Sequence, residues 1–380
     1  MNLFNVYHLW DIELGRAEGC YLYDSKGEKY LDLYGGHAVI SIGHSHPEFV
    51  RRIEQQLNRL AFFTNSVINR EQEQYAAKLG ELCGYADYSL FMCNSGAEAN
   101  ENALKLSSFR TGKKKVLAFC KAFHGRTAGA VAATDIPQYN APFNCSDNVR
   151  FVPLNDMEAA KRELVTGEYC AVIIEGIQGV GGVQIPTDDF LQKLSALCRT
   201  ENVMLILDEI QSGCGRSGKY FAHQYSGIRP DLITIAKGTG NGFPMASVLI
   251  SPEFEPVKGS LGTTFGGAYL ACAAGTAVVD VMVQENLIAN ASKTGRFIIT
   301  ELERIAAGNN LIKEIRGKGL MIGVEMNIPV ADIRRKLLFE HKIFTGSSST
   351  NIIRLLPPLC LTEQEAAHFV AVFDLLVKHN

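Results

Sequence analysis

Between residues 89 and 235 the chain alternates short apolar runs with longer helical patterns, and this alternation narrows the fold more than any other feature. Residues 89–93 and 115–120 read as strands, with a helix over about 97–109 between them. Residues 171–174, 203–207 and 232–235 are further Val-, Ile- and Leu-rich runs, and 188–200 carries a helical pattern. Apolar strands separated by helices predict a mostly parallel sheet covered on both faces. In such sheets ligands bind beyond the carboxyl ends of the strands, so the residues found there carry the functional information.

Five of those ends carry chemistry. They are Asn94-Ser95-Gly96-Ala97-Glu98, Phe123-His124-Gly125-Arg126 after a short connection, Glu175, Asp208-Glu209 and Lys237-Gly238. Any one of them alone is an ordinary turn or cap. Five on strands expected to share an edge argue for a site, and their residue types suit pyridoxal phosphate (PLP). That cofactor needs an amine, an anion opposite its pyridinium nitrogen, a phosphate cradle and a surface for its ring. Lys237 precedes the glycine-rich Gly238-Thr239-Gly240-Asn241-Gly242, which lets a planar group approach, and a lysine in an apolar site has the lowered pKa that imine chemistry favours. Its plain alternative is a solvated turn. Asp208 ends a fully apolar strand, where a carboxylate needs a cationic partner, a protonated pyridine or a structural ion pair. Ser95-Gly96-Ala97 opens a helix, so its amides and hydroxyl suit phosphate, although a plain N-cap would look the same. Thr263 and Thr264 offer hydroxyls to a phosphate or serve as loop polar groups, and Phe123 is a ring cover or core residue.

The rest of the chain sets the frame. With 380 residues there is room for two domains, and a net charge of −3 with mixed signs gives no footprint for nucleic acid or an anionic membrane. No apolar run approaches a membrane span, and residues 1–10 lack the basic and apolar parts of a signal peptide. Ten cysteines without a C-x-x-C pair argue against a metal or disulfide framework and for reduced thiols in the cytoplasm. The expected organisation is an N-terminal segment, 1–50, packing with a small domain, then a large α/β domain, 51–255. A small α+β domain with its linking helix, 256–380, follows. In the last part, a small-residue helix over 268–283 and pieces around 320–324, 352–356 and 362–379 are expected.

Taken in order, these motifs resemble the class III aminotransferases. Asn94 to Asn100, Phe123 to Thr127, Leu207 to Gly213 with Gly215-Arg216-Ser217-Gly218, and Ala236-Lys237-Gly238 with Gly242-Phe243-Pro244 all fit. So do Gly43-His44-Ser45-His46-Pro47 and Thr264-Phe265-Gly266-Gly267, so the resemblance spans nearly the whole chain. Within the class the chain is most similar to the group acting on acylated ornithine. The resemblance implies a fold-type-I architecture with a mostly parallel seven-stranded sheet flanked by helices, and a homodimer with shared active sites. It implies that Lys237 binds PLP covalently and carries the proton, that Asp208 pairs with the pyridine nitrogen and Gln211 with the ring hydroxyl. Ser95, Gly96 and Ala97 would bind phosphate, with Thr264 doing so from the other subunit, and Phe123 would cover the ring. Arg126 and Arg354 would hold substrate carboxylates, and Thr263 would sit near the acylated amino acid.

Two positions depart from the pattern. Val180 stands where relatives usually carry a glutamate thought to pair with the carboxylate-binding arginine, so Arg354 needs another partner or solvent. Ala268-Tyr269 replaces the usual Asn-Pro. The activity implied is transfer of an ω-amino group between an Nα-acylornithine, acetyl or succinyl, and 2-oxoglutarate or glutamate, in arginine biosynthesis. The alternatives are an ω-aminotransferase for ornithine or 4-aminobutyrate, an aminomutase, and a non-catalytic relative that only binds ligand. Gly36 bears on the first choice. Similar ornithine aminotransferases tend to carry a tyrosine there, and a glycine leaves space for an acyl group, or simply permits a tight turn.

Overall fold

In the computed structural model, which describes residues 1–378, the turn-rich N-terminal sequence forms a meander of β1 (Leu14–Glu18), β2 (Tyr21–Asp24) and β3 (Lys29–Asp32). Seven strands follow along the middle of the chain: β4 (Ser89–Cys93), β5 (Lys115–Phe119), β6 (Val149–Val152), β7 (Tyr169–Glu175), β8 (Met204–Asp208), β9 (Leu232–Ile235) and β10 (Ala246–Ile250). They make one sheet in the order β4-β10-β9-β8-β7-β5-β6. The five strands from β9 to β6 run parallel, and β10 is antiparallel to both its neighbours. The fold is the expected mostly parallel, seven-stranded α/β sheet. Every residue of β7, β8 and β9 is buried, as two covered faces require.

Helices Gly96–Thr111 and Asp188–Thr200 fall where the apolar patterns put them. The first buries a narrow stripe, Ala99, Asn100, Ala103 and Ser107, small enough for the helix to lie close on the sheet. The expected small-residue helix spans Tyr269–Gln284 and is largely buried. No single helix among the described residues is long and apolar enough to cross a membrane.

The last strands are β11 (Ile312–Lys318), β12 (Met321–Met326), β13 (Ile343–Phe344), β14 (Gly346–Ser348) and β15 (Ile352–Leu355). Four form an antiparallel sheet ordered β11-β12-β15-β14, while β13 pairs in parallel with β3. Both ends of the chain therefore share a sheet. The C-terminal helix is described over Glu363–Lys378, and its expected end at His379 lies outside the described residues.

Candidate active site

The carboxyl ends of the central strands converge on a cavity of about 410 Å³. Ser95, Gly96, Ala97, Phe123, Arg126, Asp208, Gln211 and Lys237 all line it, together with His124, Glu175 and Val180. Residues read as separate strand ends thus meet in one place. Three of the expected residues do not line it. Thr263 and Thr264 lie outside, although the Thr263 hydroxyl accepts a hydrogen bond from Asn94, a wall residue, at 3.0 Å. Arg354 stands behind the wall and touches it through Gln211, at 3.5 Å.

Asp208 closes β8 and is buried. Its Oδ2 accepts from His124 Nδ1 at 2.7 Å and Asn100 Nδ2 at 2.8 Å, and its Oδ1 accepts from the Ile210 amide. The Asn100 carboxamide is itself fixed by Thr234 and donates to the His124 carbonyl. Among the described residues no lysine or arginine pairs with Asp208. His124 and Asn100 carried no assigned role in the sequence. A polar Asn100 on an otherwise small, buried helix stripe is the signal that would have found it, because a buried amide needs partners.

Ser95 caps helix Gly96–Thr111 with a full capping box. Its hydroxyl accepts from the Glu98 amide, and the Glu98 carboxylate takes the amides of Asn94 and Ser95. The first-turn amides of Gly96 and Ala97 have no acceptor within the helix and face the cavity with the serine proton. The cap leaves these amides available to an anion.

Lys237 is half-buried, two residues past the end of β9, at φ +50°. Burial pulls its amine below the ordinary lysine value; Asp208 and Glu175 oppose the shift, and Arg354 and Arg216 add to it. Glu175 ends β7 beside Asp208 and accepts from the Phe123 and Gly179 amides. Burial pushes its carboxyl up to about 7. Arg354 is buried, and it is not solvated. Its partners are the Ser347 carbonyl, the Gln211 side chain and the Tyr34 hydroxyl, all neutral. Arg216, fully buried, donates to the carbonyls of Ile40, Leu320 and Pro357. Neither arginine forms an ion pair among the described residues, so each keeps a charge balanced only by neutral acceptors.

The segment after β3 is unusual. Gly35, Gly36, His37 and Ala38 all have φ between +55° and +66°, a left-handed turn that non-glycine residues adopt only under strain. A Cβ on Gly36 would meet nothing within 4 Å, so the space is open as well as the turn tight. Any L side chain placed there would carry the backbone strain of φ +55°.

A family profile described as aminotransferase class-III matches residues 5–377. The acetylornithine aminotransferase of Bacillus subtilis is 40% identical over 384 residues, covering 100% of this chain and 98% of that one. Its counterpart in Streptococcus mutans is 37% identical, with both chains covered fully. Among solved structures, an ornithine aminotransferase from Toxoplasma gondii, with PLP at partial occupancy in its active site, superposes at a TM-score of 0.92. It shares 29% identity, covering 99% of this chain and 92% of that one. An acetylornithine aminotransferase from Elizabethkingia anophelis superposes at 0.85 with 30% identity, covering 99% and 96%.

Proposed function

The chain belongs to the class-III aminotransferases, and from that premise we propose that it moves the ω-amino group of an Nα-acylornithine to 2-oxoglutarate in two half-reactions on PLP. The observation that carries the reading is the convergence of Lys237, Asp208 and the Ser95 helix start on one cavity, in a chain similar over its whole length to acetylornithine aminotransferases. The residues fit the cofactor. An amine of lowered pKa, a buried carboxylate with no lysine or arginine partner among the described residues, and first-turn amides without helical acceptors answer its aldehyde, its pyridine nitrogen and its phosphate. When bound, PLP supplies a carbonyl that takes up the amino group and a ring that accepts the electrons freed at the substrate carbon.

The chain's own residues do the rest. Lys237 Nζ would hold the cofactor and carry the proton at the substrate carbon. Asp208, oriented by His124 and Asn100, would keep the pyridine nitrogen protonated. Ser95, Gly96 and Ala97 would hold phosphate, joined by the partner subunit's Thr264; a role across the subunit interface is consistent with Thr264 lying outside the cavity of its own chain. Phe123 would cover the ring and Gln211 would meet its hydroxyl. Arg126 and Arg354 orient carboxylates through their planar forks, and Thr263 lies near the acylated amino acid. Exposed Phe62, Phe63, Ile68 and Phe265 supply apolar surface for a homodimer. The pathway is arginine biosynthesis in the cytoplasm.

Free ornithine is the second reading, favoured by the high structural likeness to ornithine aminotransferases. The open space at Gly36 favours the acylated substrate instead. The test is a half-reaction screen by absorbance with acetylornithine, succinylornithine, ornithine, 4-aminobutyrate and glutamate. An acylornithine should react at least about tenfold faster than ornithine, on the order of 1.4 kcal/mol of transition-state preference. A preference for ornithine overturns the assignment. Lys237→Ala should abolish turnover, and more than a trace of transamination in that variant would show the lysine to be misassigned.

A further inference from the structure

The two amino donors of the proposed reaction must bring the carbon that bears nitrogen to the same place beside Lys237, yet they differ at that carbon. Glutamate carries a carboxylate there, whereas the δ-carbon of an acylornithine carries only hydrogen. A cation suited to the first donor therefore has no anion to meet while the second is bound. Arg354 is that cation: it is buried, and its charge acts on Lys237. The energetic problem is a guanidinium that must stay solvated by the protein in one half-reaction and be handed to a carboxylate in the other.

Its neighbours show how this chain meets the problem. Arg354 Nε donates to the Ser347 carbonyl at 3.0 Å, Nη1 to Gln211 Oε1 at 3.5 Å and Nη2 to the Tyr34 hydroxyl at 3.2 Å. The Tyr34 hydroxyl also stands 2.5 Å from His37 Nδ1, close enough to share a proton with that nitrogen. In a neutral His37 that carries its proton on Nε2, Nδ1 is the acceptor and the Tyr34 hydroxyl donates to it. Burial, with the Arg354 and Lys237 charges, holds His37 below its ordinary pKa, which agrees. A phenol that gives its proton to an imidazole is a better acceptor for the guanidinium.

The arrangement is anchored from both sides. Asp32 Oδ1 accepts from the amides of Tyr34 and Gly35, and the left-handed turn sets His37 against the Tyr34 ring at 4.7 Å between centroids. The same turn offers the His37 carbonyl to Gln211 Nε2, so the two side-chain acceptors of Arg354 are held by one strained segment.

We propose that Tyr34, polarised by His37, is a specificity-determining residue that solvates Arg354 while the acylornithine is bound and yields to a carboxylate when glutamate is bound. This rests on the functional reading above. It makes the neutral Tyr34–His37 pair the reason an ω-amino donor is accepted with Val180 at the cavity wall.

The experiment measures both half-reactions separately, under single turnover, for holoenzyme of wild type, Tyr34→Phe and His37→Ala, with acetylornithine and with glutamate. Tyr34→Phe should slow the acetylornithine half-reaction by roughly tenfold to a hundredfold, the effect of leaving a buried charged donor one acceptor short. The glutamate half-reaction should fall by less than about threefold, because its carboxylate supplies the missing acceptor. His37→Ala should show the same bias at smaller size, and it leaves the Tyr34 ring in place. Equal losses with both donors, or a loss concentrated on glutamate, overturn the role of Tyr34 in a protein that still transaminates. Wild-type protein inert toward acetylornithine but active with glutamate and ornithine would instead overturn the functional reading, and this inference with it.

Discussion

Glu175 and Asp208 are register partners on adjacent strands, so two buried carboxylates stand side by side at the cavity floor. Glu175 is pushed up to about 7, by burial first and also by Asp208, against His124 and the two backbone donors to Glu175. A raised carboxyl makes the folded protein bind a proton that the unfolded chain releases near its ordinary value of 4.5. Its contribution to stability is therefore complete below about pH 4.5 and is lost as the pH rises through about 7. In cofactor-free protein, Glu175→Gln should gain stability relative to wild type between about pH 5 and about pH 8, by about 3 kcal/mol in all. Thermal melts across that range check it, and a difference that stays constant with pH would count against a titrating Glu175.

At the scale of elements, the helix Gly96–Thr111 carries a cap at the place proposed to hold phosphate. Ser95→Ala should lower the stability of cofactor-free protein by about 1 kcal/mol, the usual worth of such a cap. The deficit should widen when PLP is added, because the hydroxyl is then also lost to the phosphate; an unchanged deficit would mean that Ser95 only caps. Such elements are legible in sequence because their causes are local. An apolar run, a Ser three residues before Glu98 and a polar residue at the strand end are enough to place β4, its helix and the anion site within a residue or two. β13 was not legible, since two residues carry no period. Nor was the left-handed turn, which depends on Gly35 fitting where a Cβ would stand 2.7 Å from the Leu356 carbonyl. The partner of Arg354 was invisible for the same reason: Tyr34 lies 320 residues away, and no local pattern links them.

At the scale of the molecule, shared sites can be tested by mixing subunits. Lys237→Ala and Thr264→Ala each damage a different half of the proposed composite site. Refolded together in equal amounts, they should recover about a quarter of wild-type activity, because half the dimers carry one intact site out of two. Recovery no greater than the sum of the two parents would mean that Thr264 serves its own chain or none. The sheet that joins both chain ends has a further consequence, one of timing. A ribosome makes this chain from β3 toward β13, and at about 5–20 residues per second the 320 residues from Tyr34 to Arg354 take roughly 15–60 s. Throughout that interval the nascent N-terminal meander has no partner strand, and the cavity floor can be complete while its arginine has not yet been translated. The site is finished last by the segment that closes the molecule, so a prematurely ended message yields a chain with the cofactor lysine and no Arg354 to select the amino donor.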